Sequence, residues 1–341
     1  MTARGDCRSE AVRGPSYAAL DLGTNNCRLL IARQTADGFR VIDAFSRIVR
    51  LGEGLAKTGR LNEAAVRRTV DALRVCARKM RRRHVVKARN VATDACRRAD
   101  NCDVFLTRVR NETGIELEII SSEEEARLAL TGCLPLLEGD EKHGFVFDIG
   151  GGSTELIWID LDRVNGDARN GILATLSLPV GVVNLAERYG GDRIGQVIYE
   201  RMVADIAAQL EEFEKEHEIR SRVADGGVQM LGTSGTVTTL ASVNQGLPRY
   251  DRNLVDGAYL GRDEATAING RLVEMTYDER AEVPCIGPER ADLVVAGAAI
   301  LDAIWRTWPV ARLRVADRGL REGILLSLMA RSRNLDATAV T

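Results

Sequence analysis

The sequence predicts a mixed α/β protein made of two related domains that face one cleft, and three observations lead there. Helix-like and strand-like stretches alternate along the chain. One motif, DLGTNNCRLLIA at residues 21–32, returns as DIGGGSTELIWI at 148–159. A third loop of small residues, GTSGT at 232–236, sits between a strand-like run and a helical one. The 341 residues provide for two domains of ordinary size, placed at 17–136 and 137–335, with tails at 1–16 and 336–341. Hydrophobic residues make up 45% and charged residues 28%, the balance of a globular chain. With 47 basic against 49 acidic side chains there is no global basic field to hold a nucleic-acid polymer. The seven cysteines are scattered and form no CxxC pair, so neither a disulfide framework nor a zinc site is expected, and a reducing cytoplasm is. Residues 1–16 lack the apolar stretch of a signal peptide, and no apolar run reaches the length of a membrane span.

The elements follow in order. The first repeat reads as strand, polar turn, strand, with AAL at 18–20 leading in. Residues 63–82 place Val66, Val70, Leu73, Ala77 and Met80 on one helical face. The run RKMRRRH at 78–84, with Lys87 and Arg89 beyond it, closes that helix where positive charge suits the dipole, so a solvated helix end is favoured over a polyanion track. A short strand is expected around 90–93, a helical stretch to about 113, and a strand at LEII, 117–120. A helix then opens at SSEEEARLALTG, where Ser122 and Glu125 have capping-box spacing, and Pro135 limits it. The second hairpin follows FVF at 145–147, then a strand near 173–178 and a helix from about 193 to 216. Its charge-rich end EEFEKEHE reads as a solvated face. The helix at 288–308 carries Trp305 and Trp308 as core residues, and a strand at 313–316 precedes a last helix over about 319–331, expected to pack back on the first domain.

The chemistry concentrates in the repeated hairpin. Aligned without a gap, Asp21 matches Asp148, Leu22 matches Ile149, Gly23 matches Gly150 and Leu29 matches Leu156. One such tip alone is ordinary turn chemistry; two in register imply equivalent tips facing each other across a cleft. Backbone N–H groups and small side chains on a tip suit phosphate oxygens. Gly23, Thr24 and Asn25 provide them on one side, and Gly150, Gly151, Gly152, Ser153 and Thr154 on the other. Gly232, Ser234, Gly235 and Thr236 add a loop opening a helix, a third place for an anion. An acid on each tip, Asp21 and Asp148, beside a phosphate would repel it, and a divalent cation between them resolves the conflict.

These loops, with RLGEGL (50–55), ATDACR (92–97), EEARLALTG (124–132), LPVGVVNLAERY (178–189), PERADLVVAGA (288–298) and DRGLREGIL (317–325), resemble the exopolyphosphatase and guanosine pentaphosphate phosphatase (Ppx/GppA) family, a branch of the actin, sugar-kinase and DnaK ATPase superfamily. The matching stretches span nearly the whole chain, which stops soon after DRGLREGIL, as the short two-domain members do. The resemblance implies two related ribonuclease H-like, actin-like ATPase domains around a central cleft. It implies an exopolyphosphatase that releases orthophosphate from polyphosphate ends, shorter chains being the expected substrates, or alternatively a pppGpp 5′-phosphohydrolase. It also implies Mg²⁺ or another divalent cation on Asp148 and Glu155 with Asp21 as a further contact, and a homodimer. Glu125 would activate the attacking water, with Glu124 one register step away as the alternative, and Arg97 would reach the phosphates as a bidentate donor. Asn26 and Cys27 depart from the serine and larger residue of many members. Arg318, Arg321 and Glu322 are expected to serve packing and interdomain pairing. A sugar-kinase-like ATPase would need an acceptor pocket. A non-catalytic sensor would have a broken acid set, and here Asp21, Glu125, Asp148 and Glu155 are all present.

Overall fold

Two runs of buried apolar strand residues, YAALDL and GFVFDI, become the central strands of two sheets. The computed structural model describes residues 14–35, 38–165 and 167–338. In the first sheet, β1 (Ser16–Leu22), β2 (Asn26–Thr35), β3 (Gly38–Ile48), β4 (Val85–Ala92) and β5 (Glu118–Ile119) lie in the order β3-β2-β1-β4-β5. The second contains β6 (His143–Ile149), β7 (Thr154–Asp160), β8 (Ile172–Leu178), β9 (Val228–Thr233), β10 (Tyr259–Gly261) and β11 (Arg312–Ala316), in the order β10-β11-β9-β6-β7-β8. Read from β8, it repeats the first sheet strand for strand. β1 is antiparallel to β2 and parallel to β4, β6 is antiparallel to β7 and parallel to β9, and β10 adds an antiparallel edge. The sequence echo is one topology built twice. Its registers match too: Asp21 pairs with Arg28 in the first hairpin and Asp148 with Glu155 in the second, and paired residues share a face.

Helices Gln196–His217 and Val294–Thr307 cover the second sheet over a core holding Phe145, Phe147, Trp158, Trp305 and Trp308. Buried indoles need a partner for their N–H. Trp305 donates to the Val310 carbonyl at 2.8 Å and Trp308 to the Glu214 carboxylate at 2.6 Å. Glu214 therefore faces inward, so the charge run EEFEKEHE is not solvated throughout. At the end of helix Glu63–Arg82, Asp43 on β3 draws in Lys79 at 2.6 Å and Arg83 at 2.8 Å, which neutralises part of the basic run.

Other boundaries shift. β4 starts at Val85, and the helical stretch to 113 divides into Asp94–Arg98 and Cys102–Thr113. The helix expected from 288 starts at Val294, after a turn through Gly287 at φ 68°. The last helix, Leu320–Thr338, returns to the first sheet, where Leu320, Ile324, Leu325 and Met329 pack on Tyr17, Ala19, Leu30 and Val91. It crosses helix Ser122–Cys133 backbone to backbone. A Cβ at Gly323 would stand 1.9 Å from the Leu128 carbonyl oxygen, and one at Gly132 would stand 2.0 Å from that of Gly319. Only glycine permits this approach.

Candidate active site

The hairpin turns project from the ends of the central strands and meet. A Cβ on Gly151 would lie 3.0 Å from the Asn25 backbone N, and one on Gly152 would lie 2.0 Å from Asp94 Oδ2 and 2.7 Å from Thr24 Oγ1. Gly181 presses on the same loop, its missing Cβ 2.4 Å from the Gly151 carbonyl carbon. Each of the three glycines is closely approached: Gly150 by the Ser153 carbonyl of its own turn, Gly151 by the Asn25 backbone and Gly152 by the side chains of Asp94 and Thr24. Beneath the tips is a cavity of about 150 Å³. Gly23, Thr24, Asn25, Gly150, Gly151, Gly152 and Ser153 line it, as do Ser234, Gly235 and Thr236 at the start of helix Gly235–Asn244. Asp21, Glu125 and Asp148 are among the acids of the wall, with Asp94, Asp317 and Glu322. Ser234 holds φ 108°, a conformation few non-glycine residues adopt. Its Oγ, Thr24 Oγ1, Asn25 Oδ1 and Asp94 Oδ2 are all buried without a hydrogen-bond partner, and all four residues line this cavity. Buried polar atoms are rarely left so, and four around one space mark it as built for a polar ligand.

Four residues assigned to the site from sequence do not line the cavity. Gly232 packs under Phe147, its register partner on β6, with a would-be Cβ 2.5 Å from the ring. Thr154 donates to the Val180 carbonyl at 2.7 Å. Glu155 is 2% exposed and accepts from the Ser153 hydroxyl at 2.7 Å and the Ser177 hydroxyl at 3.0 Å. Arg97 donates to the Glu125 carboxylate at 2.7 Å and to the Ile120 carbonyl at 3.0 Å, so it is turned to an acid rather than to the cavity.

The structure separates Glu124 from Glu125. The helix is capped by Ser121, whose hydroxyl accepts from the Glu124 N–H at 3.2 Å, so the box from Ser122 to Glu125 does not form. Glu124 accepts from Arg127 at 2.7 Å and Arg89 at 2.9 Å, and the Arg127 contact leads in holding its carboxyl below the usual range. Glu125 points into the cavity, where burial and then the Glu155 charge push its pKa well above the ordinary value while Arg97 opposes them. Burial, with Asp21 adding to it, raises Asp148 to about 6, and burial raises Glu155 to about 7. Asp21 is raised as well, mainly by burial. Among the described residues, no three His, Cys, Asp or Glu side chains stand close enough to hold a metal ion by themselves.

Opposing these acids are cations that the motif reading passed over. Arg28, Arg290, Arg318 and Arg321 line the cavity. Asp256 holds Arg318 through its Nε and Nη2, and Arg290 donates to the Thr239 hydroxyl at 2.7 Å. Among the described residues, Arg28 and Arg321 make no hydrogen bond or ion pair, and burial lowers the Arg321 pKa. Arg28 was within reach of the sequence: the hairpin alignment sets it opposite Glu155. Arg321 was expected to be a packing residue and instead faces the cavity. Glu322 is structural, accepting from the Gly319 N–H and from Arg252, both at 3.0 Å. A second cavity of about 700 Å³ adjoins the first through Asn25 and Leu293. Its wall includes Glu53, Glu187, Asp192 and Asp278. Arg50 bridges the cleft there, donating to both Asp292 oxygens at 2.8 and 3.1 Å, and the Gly54 N–H donates to Glu187 at 2.8 Å.

Comparison with known proteins identifies the family. The pattern described as the Ppx/GppA phosphatase family matches residues 30–332. Exopolyphosphatase 2 of Mycobacterium tuberculosis is 30% identical over 326 residues, which cover 91% of this chain and 98% of that protein. The guanosine-5′-triphosphate,3′-diphosphate pyrophosphatase of Aeromonas hydrophila is 29% identical over 324 residues, covering 95% of this chain and 61% of its own. The crystal structure of the Aquifex aeolicus member of the Ppx/GppA family superposes with a TM-score of 0.74 at 29% identity, covering 93% and 98% of the two chains.

Proposed function

The chain belongs to the Ppx/GppA phosphatase family, and from that membership we propose that it is a hydrolase of terminal phosphoanhydrides, releasing orthophosphate from the ends of inorganic polyphosphate. The single observation that carries the reading is the pairing, in one cavity, of unpartnered guanidinium groups with an inward-facing Glu125. Phosphoryl transfer asks for positioned phosphate oxygens, neutralised charge and an oriented water. The tips at 23–25 and 150–153, with the helix start at Gly235, offer N–H groups to the terminal phosphate. Arg28 and Arg321 have donors free for its non-bridging oxygens. Glu125 in its ionised form takes the proton of the attacking water as the new P–O bond forms, and the bond to the bridging oxygen breaks. Arg97 contributes by favouring the ionised form of Glu125 against its burial and by orienting the carboxylate.

A divalent cation, Mg²⁺ in our reading, suits the raised carboxylates of Asp21, Asp148 and Glu155, since neutralisation relieves what burial has imposed on them. With no three-acid cage among the described residues, the fit is to a cation that takes one or two carboxylates and completes its shell with water and substrate oxygens, as Mg²⁺ commonly does. When bound, it supplies charge neutralisation at the phosphates. Asp148 would hold it, and Glu155, engaged by two serine hydroxyls, would support it from behind.

Guanosine pentaphosphate is the second reading, favoured by the adjoining cavity. Its carboxylates repel a bare phosphate chain and offer acceptors to the N–H edge of a base. The described cysteines are free thiols, which suits our reading of a cytoplasmic protein, and no helix among the described residues is long and apolar enough to cross a membrane. The test offers medium-chain polyphosphate, pppGpp and ATP with Mg²⁺ to the wild type and Glu125→Gln. Phosphate release from polyphosphate, reduced about 10²–10⁴-fold in the variant, is expected. Release from pppGpp alone would move the function to the second reading, and release from neither would overturn both.

A further inference from the structure

Asp94 lines the cavity, yet neither the motif reading nor the reaction as described uses it. Its residue is 7% exposed, and Oδ2 has no hydrogen-bond partner. Arg98 Nη1, one turn along, makes an ion pair with Oδ2 at 3.5 Å but no hydrogen bond. The carboxylate does not cap its own helix either: the cap is Thr93, and Asp94–Arg98 is five residues long. Among the described residues the carboxylate accepts from no backbone N–H, and the i,i+4 ion pair with Arg98 is its structural contact. Thr24, 5% exposed, presents a second orphan oxygen, Oγ1, and both oxygens crowd the same side of Gly152 at the tip of the second hairpin.

The chemistry of these atoms narrows what can satisfy them. An ionised carboxylate only accepts hydrogen bonds, and a fully ionised phosphate has no proton to give. Phosphate placed directly against Oδ2 would leave that oxygen unsatisfied and add repulsion. A hydrated divalent cation resolves both, because its waters donate to Oδ2 and its charge is shared with the phosphate. We propose that Asp94, with Thr24 Oγ1 beside it, is a further anchor for the divalent cation of the cleft, acting at the hairpin tips rather than at the strand ends that carry Asp21 and Asp148. The inference rests on the reading of this cavity as a metal-assisted phosphoanhydride hydrolase. It adds a consequence of its own. With cation present Asp94 assists phosphate binding, and without it Asp94 opposes phosphate.

The experiment titrates the full-length protein with Mn²⁺ alone, free ion being read by electron paramagnetic resonance, and separately with orthophosphate in EDTA by calorimetry. Wild type and Asp94→Asn are compared after their folds are matched by circular dichroism. Asp94→Asn is expected to weaken Mn²⁺ binding about tenfold and to tighten metal-free phosphate binding. A purely structural Asp94 would move neither, and Mn²⁺ affinity equal to that of the wild type overturns the proposal. Should the variant not fold, a wild-type crystal soaked in Mn²⁺ decides: anomalous density beside Asp94 Oδ2 supports the proposal, and density confined to Asp21 and Asp148 overturns it. Hydrolysis is assayed on the same wild-type sample. A wild type inert toward every phosphoanhydride sinks the phosphatase reading itself, whereas an active wild type with unchanged Mn²⁺ affinity in Asp94→Asn sinks this inference alone.

Discussion

As the proposed base, Glu125 must be ionised to accept a proton, and its surroundings work against that. Burial and the Glu155 charge favour the protonated form, and Arg97, bonded to it at 2.7 Å, is the group that favours the carboxylate. The arginine expected from sequence to grip phosphate is thus placed to hold the base. The two roles predict different kinetics. Arg97→Met removes the opposing charge, so the Glu125 pKa rises further, and the acid limb of kcat/KM against pH moves to higher pH. Near pH 6.5 the rate should fall about tenfold or more, the scale of a lost charge-assisted hydrogen bond, while KM stays close to that of the wild type. If Arg97 instead gripped the substrate, KM would rise and the acid limb would stay in place. A pH series of initial rates on both proteins separates the two.

At the scale of elements, the crossing of helices Ser122–Cys133 and Leu320–Thr338 sets the spacing of the site, since one carries Glu125 and the other Arg321. Two glycines, at 132 and 323, let the backbones touch. Gly323→Ala drives a methyl group into the Leu128 carbonyl, where no flexible side chain can yield. We expect a loss of about 1–3 kcal/mol in chemical denaturation and a fall in kcat in the protein that remains folded, because the base and the arginine are pushed apart. Unchanged stability would show that the helices separate freely. The same crossing shows what the sequence could carry. The hairpins were legible because strand patterning and a glycine tip are local and occur twice; Arg28, aligned with Glu155 by the same echo, was passed over. Gly232 was not. It looks like part of a phosphate loop, and only the β6–β9 register reveals Phe147 across from it. Nor was the burial of Glu155 legible, because Ser177 reaches it from β8, which no tip motif includes. Arg97 was found as a residue and misdirected as a role, since a motif names an arginine without saying where its guanidinium turns. What was missed is non-local: it depends on which strand or helix lies beside another.

In the molecule as a whole, two copies of one sheet meet at their hairpin tips, and Arg50 with Asp292 ties the cleft on its second side. This closure buries carboxylates that the unfolded chain leaves in water, so proton binding, cation binding and folding are linked. Asp148 titrates near 6 in the folded protein, chiefly because of burial, against an ordinary value of 3.8. Between those two pH values the folded state retains a proton that the unfolded chain has released. Asp148 therefore contributes favourably at low pH, and that contribution disappears as pH rises through about 6. Asp148→Asn removes the titration. Without divalent cation the variant should gain on the wild type as pH rises from 4 to 7.5, by on the order of 2 kcal/mol at the upper end. A cation reverses the order, because it stabilises the ionised wild type and finds one carboxylate fewer in the variant. Mg²⁺ should therefore raise the wild-type Tm more at pH 7.5 than at pH 5, where protons compete for the same oxygens, and should raise that of Asp148→Asn little at either. Thermal melts of both proteins in EDTA and in Mg²⁺ across this range measure it. Parallel curves in EDTA would mean that Asp148 stays ionised in the folded cleft, and an equal Mg²⁺ response in both proteins would place the cation on other residues.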